Sequence, residues 1–144
     1  MKVDKNELNT INFHSEFKNP EVFDENFEIL LQEPKVVAIG ECGLDYSYLK
    51  DFSKKDQEKY QEAQKKEFKK QIQIAKKYQL PLSLHVRNLY EQALFILEGE
   101  EYKGQGVFHF FTGNLSQAKM IIDKGFLIGL SGVITYSSEM DRVI

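Results

Sequence analysis

The sequence contains a single cysteine, Cys42. No disulfide can therefore form within the chain, which suits a reducing, cytoplasmic setting. No apolar run approaches the length of a membrane span, so a membrane-crossing helix is not expected. The opening residues, MKVDKNELNTINF, lack the apolar core of a signal peptide. Basic charge is not in excess: 19 Lys and Arg face 22 Asp and Glu, for a net charge of -3. That balance excludes a general attraction to nucleic acid or to an anionic membrane. A nucleic-acid substrate stays open, because bound divalent metal supplies local positive charge. Internal repeats and low-complexity linkers are also missing. What is present is 144 residues, 42% hydrophobic and 28% charged, which suits one folded domain with its own core. Residues 1–20 read as a polar, loop-like lead-in that includes His14.

Helical and strand patterns alternate after that lead-in. Val22, Phe23, Phe27, Leu30 and Leu31 form an apolar stripe over residues 21–32, and Pro34 ends it. A first strand is expected over 35–39. Ser53 with Asp56 resembles a capping box that opens a long helix over 54–79, with Phe68, Ile72 and Ala75 on its buried side. The lysines of that helix are interleaved with acidic residues and read as a solvated face. A second strand is expected over 82–85, a helix over 88–98, a third strand over 107–110, and a helix over 115–124 capped by Asn114 or Ser116. Ala118, Met120, Ile121 and Ile122 are its core candidates. A fourth strand over 126–130 follows, and residues 136–144 read as the start of a helix. Strands alternating with helices over short loops predict an α/β fold with about four parallel strands and flanking helices.

The chemistry gathers at the strand ends. Val36 to Ile39 is an apolar run of the kind that forms a buried strand, and Gly40 then lets the backbone leave the sheet before Glu41. The second strand ends on His85 and the third on His109. In parallel α/β folds, ligand and metal sites lie at the C-terminal ends of strands. Three successive tips carrying Glu41, His85 and His109 therefore make a candidate metal-ligand set. Carboxylate with imidazole suits zinc, manganese, iron or magnesium without choosing among them. Such a site lowers the pKa of bound water and polarises a phosphoryl or acyl oxygen, as a hydrolase requires. Arg87 is either a phosphate clamp or a salt-bridge partner of a neighbouring helix. Cys42 reads as a buried, inert thiol. Asp45 and Tyr46 either order their loop or line the site. Phe110 and Phe111 either pack on a substrate base or belong to the core.

Four segments, VVAIGECGLDY from Val36, LPLSLHVRN from Leu80, GVFHFFTGN from Gly106 and GFLIGLSGVITY from Gly125, resemble the middle of the TatD family of metal-dependent deoxyribonucleases. The likeness extends from about Pro34 to the C-terminus. It implies a (β/α)8 TIM-type barrel with a divalent metal centre at its mouth, and hydrolysis of DNA phosphodiester bonds. Glu41 matches the family's metal-bridging glutamate, and His85 and His109 match histidines of its later strands. Arg87 matches the polar position of an H-x-R motif, where a phosphate contact is implied. The family's opening His-x-His pair and its closing Glu-Thr-Asp motif have no counterpart here. A barrel of this kind needs about 250 residues. The expectation is thus a partial barrel, an internal piece holding roughly strands three to six of the family's order. Two readings stand beside the nuclease: another amidohydrolase-like barrel acting on a small phosphoester or lactone, and a catalytically silent fragment that only binds.

Overall fold

A computed structural model describes residues 29–135 and 143. Strands β1 (Ile39–Cys42), β2 (Leu82–Leu84), β3 (Gly106–Phe108) and β4 (Leu127–Ile128) form one parallel sheet in the order β1-β2-β3-β4. Helices α1 (Lys54–Tyr78), α2 (Tyr90–Gly99) and α3 (Leu115–Asp123) are the three crossovers. Each strand pairs with its predecessor in sequence. A doubly wound sheet reverses strand order at a switch point, whereas a (β/α)8 barrel adds each strand beside the last. The fold is therefore α/β, a partial TIM-type barrel; its four parallel strands with flanking helices are what the sequence pattern predicts, and the barrel is what the family resemblance implies.

The helices form where local chemistry sets their ends. Ser53 accepts a hydrogen bond from the Asp56 backbone N–H at 3.2 Å and starts α1. A cap of this kind contributes about 1 kcal/mol. Phe68, Ile72 and Ala75 recur at helical spacing and are fully buried. Several α1 lysines do lie in a solvated face, with Lys65 paired to Glu62 and Lys70 to Glu67 within the helix. Asn114, not Ser116, caps α3, in a reciprocal capping box with Gln117. Ala118 and Ile121 enter the core as expected, but Ile122 is 55% exposed. On a helix the residue after a core position is rotated by about 100°, so Ile121 and Ile122 cannot share one buried face.

Side chains alternate across the sheet. On β2, Leu82 and Leu84 are buried, while Ser83 between them is only half-buried. Ile39, Leu82, Leu84 and Phe108 from the strands pack with Phe68, Ile72, Ala93, Leu97 and Ile121 from the helices. Leu127 on the outer strand β4 is 69% exposed. The lead-in over 1–20 with His14, most of the helix expected over 21–32, and all of the segment 136–144 except Val143 lie outside the described residues. Of the first helix, Ile29 and Leu30 are helical and Leu31 is buried.

Candidate metal centre

The first strand does not occupy 35–39 as expected; β1 starts at Ile39 and runs on through Gly40 and Glu41 to Cys42. The reason is a bulge. Ile39 pairs with Leu82 and Cys42 with Leu84, so three steps on β1 oppose two on β2. The extra residue re-aims the local side chains. Ile39 and Cys42 both stay buried, while Glu41 is half-buried. Gly40 permits the close approach this requires, since a Cβ there would lie 2.7 Å from the Ser83 Cβ.

Backbone hydrogen bonds then carry the ladder past the strand ends. The His85 N–H donates to the Cys42 carbonyl at 2.7 Å, the His109 N–H to the Leu84 carbonyl at 3.0 Å, and the Arg87 N–H to the Leu44 carbonyl at 3.2 Å. Each strand tip is thus fixed by the one before it. Gly43 makes the turn after β1 with φ 133°, a conformation that L side chains rarely adopt.

The three tips converge. Glu41 Oε1 lies 3.4 Å from His85 Nδ1 and 2.5 Å from His109 Nε2. One ligand atom from each residue falls within 4.8 Å of the others. The two imidazole rings sit 5.1 Å apart, tilted by 45°. His109 Nε2 is buried and makes no hydrogen bond, despite its short approach to the carboxylate. A buried imidazole nitrogen turned on a carboxylate oxygen outside hydrogen-bond geometry is the arrangement that a shared cation satisfies. The donor set, two imidazoles and a carboxylate, all only partly exposed, suits a divalent metal.

Asp45 and Arg87 flank this cluster. Asp45 is a buried carboxylate. Its Oδ2 lies 3.6 Å from Arg87 Nε and 3.9 Å from His85 Nε2, and its Oδ1 accepts from the Ser47 N–H at 2.8 Å. The Arg87 guanidinium also donates to Ser47 Oγ at 3.3 Å. Its salt-bridge partner is therefore the loop after β1 and not a neighbouring helix, and its side chain remains 49% exposed. Tyr48 stands on the same rim. Burial, then the Asp45 charge, hold its hydroxyl above the ordinary value, with Arg87 opposing. The Tyr46 hydroxyl donates to Gln92 of α2 and so ties the loop to the scaffold.

The remaining candidates separate cleanly. Cys42 is fully buried, and desolvation followed by the Glu41 charge push its thiol far up, so it is inert at neutral pH. Phe111 is core, whereas Phe110 is 49% exposed beside His109, with φ 52°. Asp45 is the residue whose part the sequence leaves ambiguous. Its signal is a carboxylate just past the Gly43 turn, but loop acids of that kind are common.

The family model described as TatD related DNase matches residues 5–144. The chain is 36% identical over 105 residues to the 3'-5' ssDNA/RNA exonuclease TatD of Salmonella typhimurium, covering 72% of this chain and 37% of that protein. It is 37% identical over 112 residues to the deoxyribonuclease Tat-D of Schizosaccharomyces pombe, covering 76% of this chain and 34% of that protein. A crystal structure of a TatD family hydrolase from Entamoeba histolytica superposes with a TM-score of 0.71 at 29% identity, covering 85% of this chain and 40% of that one. The chain belongs to the TatD related DNase family, and its matches span under two fifths of the length of these two curated relatives.

Proposed function

We propose that Glu41, His85 and His109 hold a divalent metal ion, and that this member of the TatD family hydrolyses DNA phosphodiester bonds. The observation that carries the reading is the convergence of three ligand atoms from three strand tips within 4.8 Å. A bound divalent cation supplies a Lewis acid and a water of lowered pKa. Magnesium, manganese and zinc are all compatible with the donor set.

The chain's own residues supply the rest. Glu41 sits between the two imidazoles and provides the negative charge that a cation there needs. Arg87 presents a planar guanidinium at the rim, suited to two oxygens of one phosphate. Asp45 and Ser47 hold that guanidinium at one edge, which leaves the remainder to substrate. Among the described residues a single arginine flanks the cluster, which favours gripping a single phosphate over broad backbone binding. The relatives' names, an ssDNA/RNA exonuclease and a deoxyribonuclease, support a nucleic-acid substrate. Among the described residues no helix is long and apolar enough to cross a membrane, and with the single cysteine this supports action in the cytoplasm.

The test is cleavage of a single-stranded oligodeoxynucleotide and of a small aryl phosphodiester, with each metal in turn. Metal-dependent cleavage of the oligonucleotide that disappears in Glu41→Ala supports the reading. Cleavage of the small ester alone transfers the chain to small phosphoesters. No cleavage by metal-loaded chain reduces the function to binding.

A further inference from the structure

Phe110 stands one residue past His109, with its backbone in the left-handed region at φ 52° and its side chain 49% exposed. An exposed phenylalanine alone is ordinary. A left-handed residue at a turn is ordinary too where it is glycine or asparagine, which adopt that region at little steric cost. Phe110 combines the two unfavourably: a bulky ring bears the cost of the conformation and gains little burial in return.

The conformation is imposed from both sides. The His109 N–H donates to the Leu84 carbonyl at 3.0 Å, the Phe111 N–H to the Gly129 carbonyl at 3.0 Å, and the Thr112 N–H to the Tyr90 hydroxyl at 3.2 Å. The Phe111 ring fills the core against Tyr90, with centroids 5.0 Å apart. His109 therefore belongs to the ligand cluster and Phe111 to the core, and Phe110 between them is given to solvent just past β3. Backbone outliers held in this way gather at ligand clamps and active sites.

Position gives the ring its partner. Arg87 is tied to the loop after β1 through Asp45 and Ser47, whereas Phe110 follows β3, on the other side of β2. A cationic fork and an exposed aromatic ring thus reach the cluster from different strands. A nucleotide offers the matching pair, a phosphate for the fork and a base for the ring, joined through one sugar. Every base has a π-face, so such stacking tolerates any sequence. We propose that Phe110 is a specificity-determining residue that stacks on the base of the nucleotide whose phosphate reaches the metal centre. The substrate class is then a nucleic-acid strand with an unpaired base at the cleavage point, preferred over phosphodiesters that lack one. This rests on the reading of the site as a nuclease centre.

The sequence contains no tryptophan, so Phe110→Trp places a single fluorescent reporter at the site and keeps an aromatic face there. The probes are two strands of equal length with phosphorothioate linkages, which resist hydrolysis. One carries thymine bases and the other has base-free sugars. Each is titrated into the whole chain in Mg²⁺. The thymine strand should quench the emission of Phe110→Trp, and the base-free strand should not. The parent chain should bind the thymine strand about 10-fold more tightly than the base-free one, and Phe110→Leu, apolar but without a ring, should lose that preference. Phe110→Asn should unfold at the parent's temperature or above it, because asparagine enters the left-handed region more readily. An equal preference in the parent and Phe110→Leu overturns the proposal, as does a bound thymine strand that leaves the tryptophan emission unchanged. A markedly lower unfolding temperature for Phe110→Asn also overturns it, since the ring then serves packing. A parent chain that binds neither strand contradicts the nuclease reading itself, and the proposal falls with it; strand binding without base preference overturns the part given to Phe110 alone.

Discussion

Glu41 Oε1 approaches His109 Nε2 to 2.5 Å, although β1 and β3 are not neighbours in the sheet. Strands two apart are separated by about 10 Å of backbone. The two side chains close that gap at the end of β2, where His85 is the third member, with Nδ1 3.4 Å from Glu41 Oε1 and its ring 5.1 Å from that of His109. The bulge in β1 and the backbone bonds that extend the ladder make this possible, because they fix the offset of each tip against the next. The cluster is thus a product of strand register as much as of residue type.

That dependence on register gives a first prediction, at Gly43. A Cβ there would lie 2.6 Å from the His85 carbonyl oxygen, and the residue has φ 133°. Gly43→Ala should destabilise the chain by about 3 kcal/mol, read as a lowered denaturant midpoint. It should also weaken metal binding, since the clash falls on the backbone of His85, one of the three proposed ligands. An unchanged midpoint would show that the turn relaxes freely.

Gln79 ends α1 in the left-handed region, with φ 54°, and its side chain is exposed. Glycine is the residue that adopts this conformation without steric cost. Gln79→Gly should therefore stabilise the chain by about 1 kcal/mol, in contrast to glycine placed inside the helix. Thermal unfolding of the two proteins measures the difference, and a lower midpoint for Gln79→Gly would contradict the assignment of the cap.

Stability should also fall at high pH. Desolvation by burial is the main cause that raises the Tyr102 hydroxyl from its ordinary value of 10.0 to about 12. Desolvation and then Glu62 raise Tyr46 from 10.0 to about 12 as well. A raised folded-state value means that the folded chain favours the neutral phenol. This contribution is complete below pH 10.0 and is lost as pH rises toward about 12. Tyr102 donates to the Leu80 and Gln105 carbonyls, so Tyr102→Phe should lower stability at neutral pH and flatten the alkaline decline. Denaturation midpoints across that window read the effect, and an identical decline in Tyr102→Phe would assign it to other groups.

Arg87 gives a prediction that separates binding of metal from binding of substrate. Arg87→Ala should leave Mn²⁺ affinity within about 3-fold, because no atom of Arg87 belongs to the ligand cluster. Oligonucleotide KM should rise about 10-fold, as expected for loss of a bidentate phosphate contact. A collapse of metal affinity in this variant would instead place Arg87 in the support of His85, through the Asp45 oxygen both residues face.

Much of this was legible in the sequence. Strands β2 and β3 end where apolar alternation gives way to histidine, and α1 announces itself through Ser53, Asp56 and the spacing of Phe68, Ile72 and Ala75. The first strand was placed over 35–39 and not at Ile39–Cys42, because the apolar run ends at Ile39 and a bulge has no local signature beyond a glycine, which equally marks a turn. Ile122 was misassigned because three adjacent apolar residues, Met120 to Ile122, leave the helix phase ambiguous. Which of its two readings applies to Asp45 could not be decided from the sequence, since its contacts with Gln64, His85 and Arg87 are to residues 19 or more positions away.

The central claim is that three strand tips make one metal site. Calorimetric titration of the chain with Mn²⁺ and Zn²⁺, with Glu41→Ala and His109→Ala beside it, tests this most directly. The account predicts one saturable site in the parent chain, weakened at least about 10-fold in each variant while folding is retained. A folded parent chain that binds neither ion, or binding that survives in both variants, would contradict it.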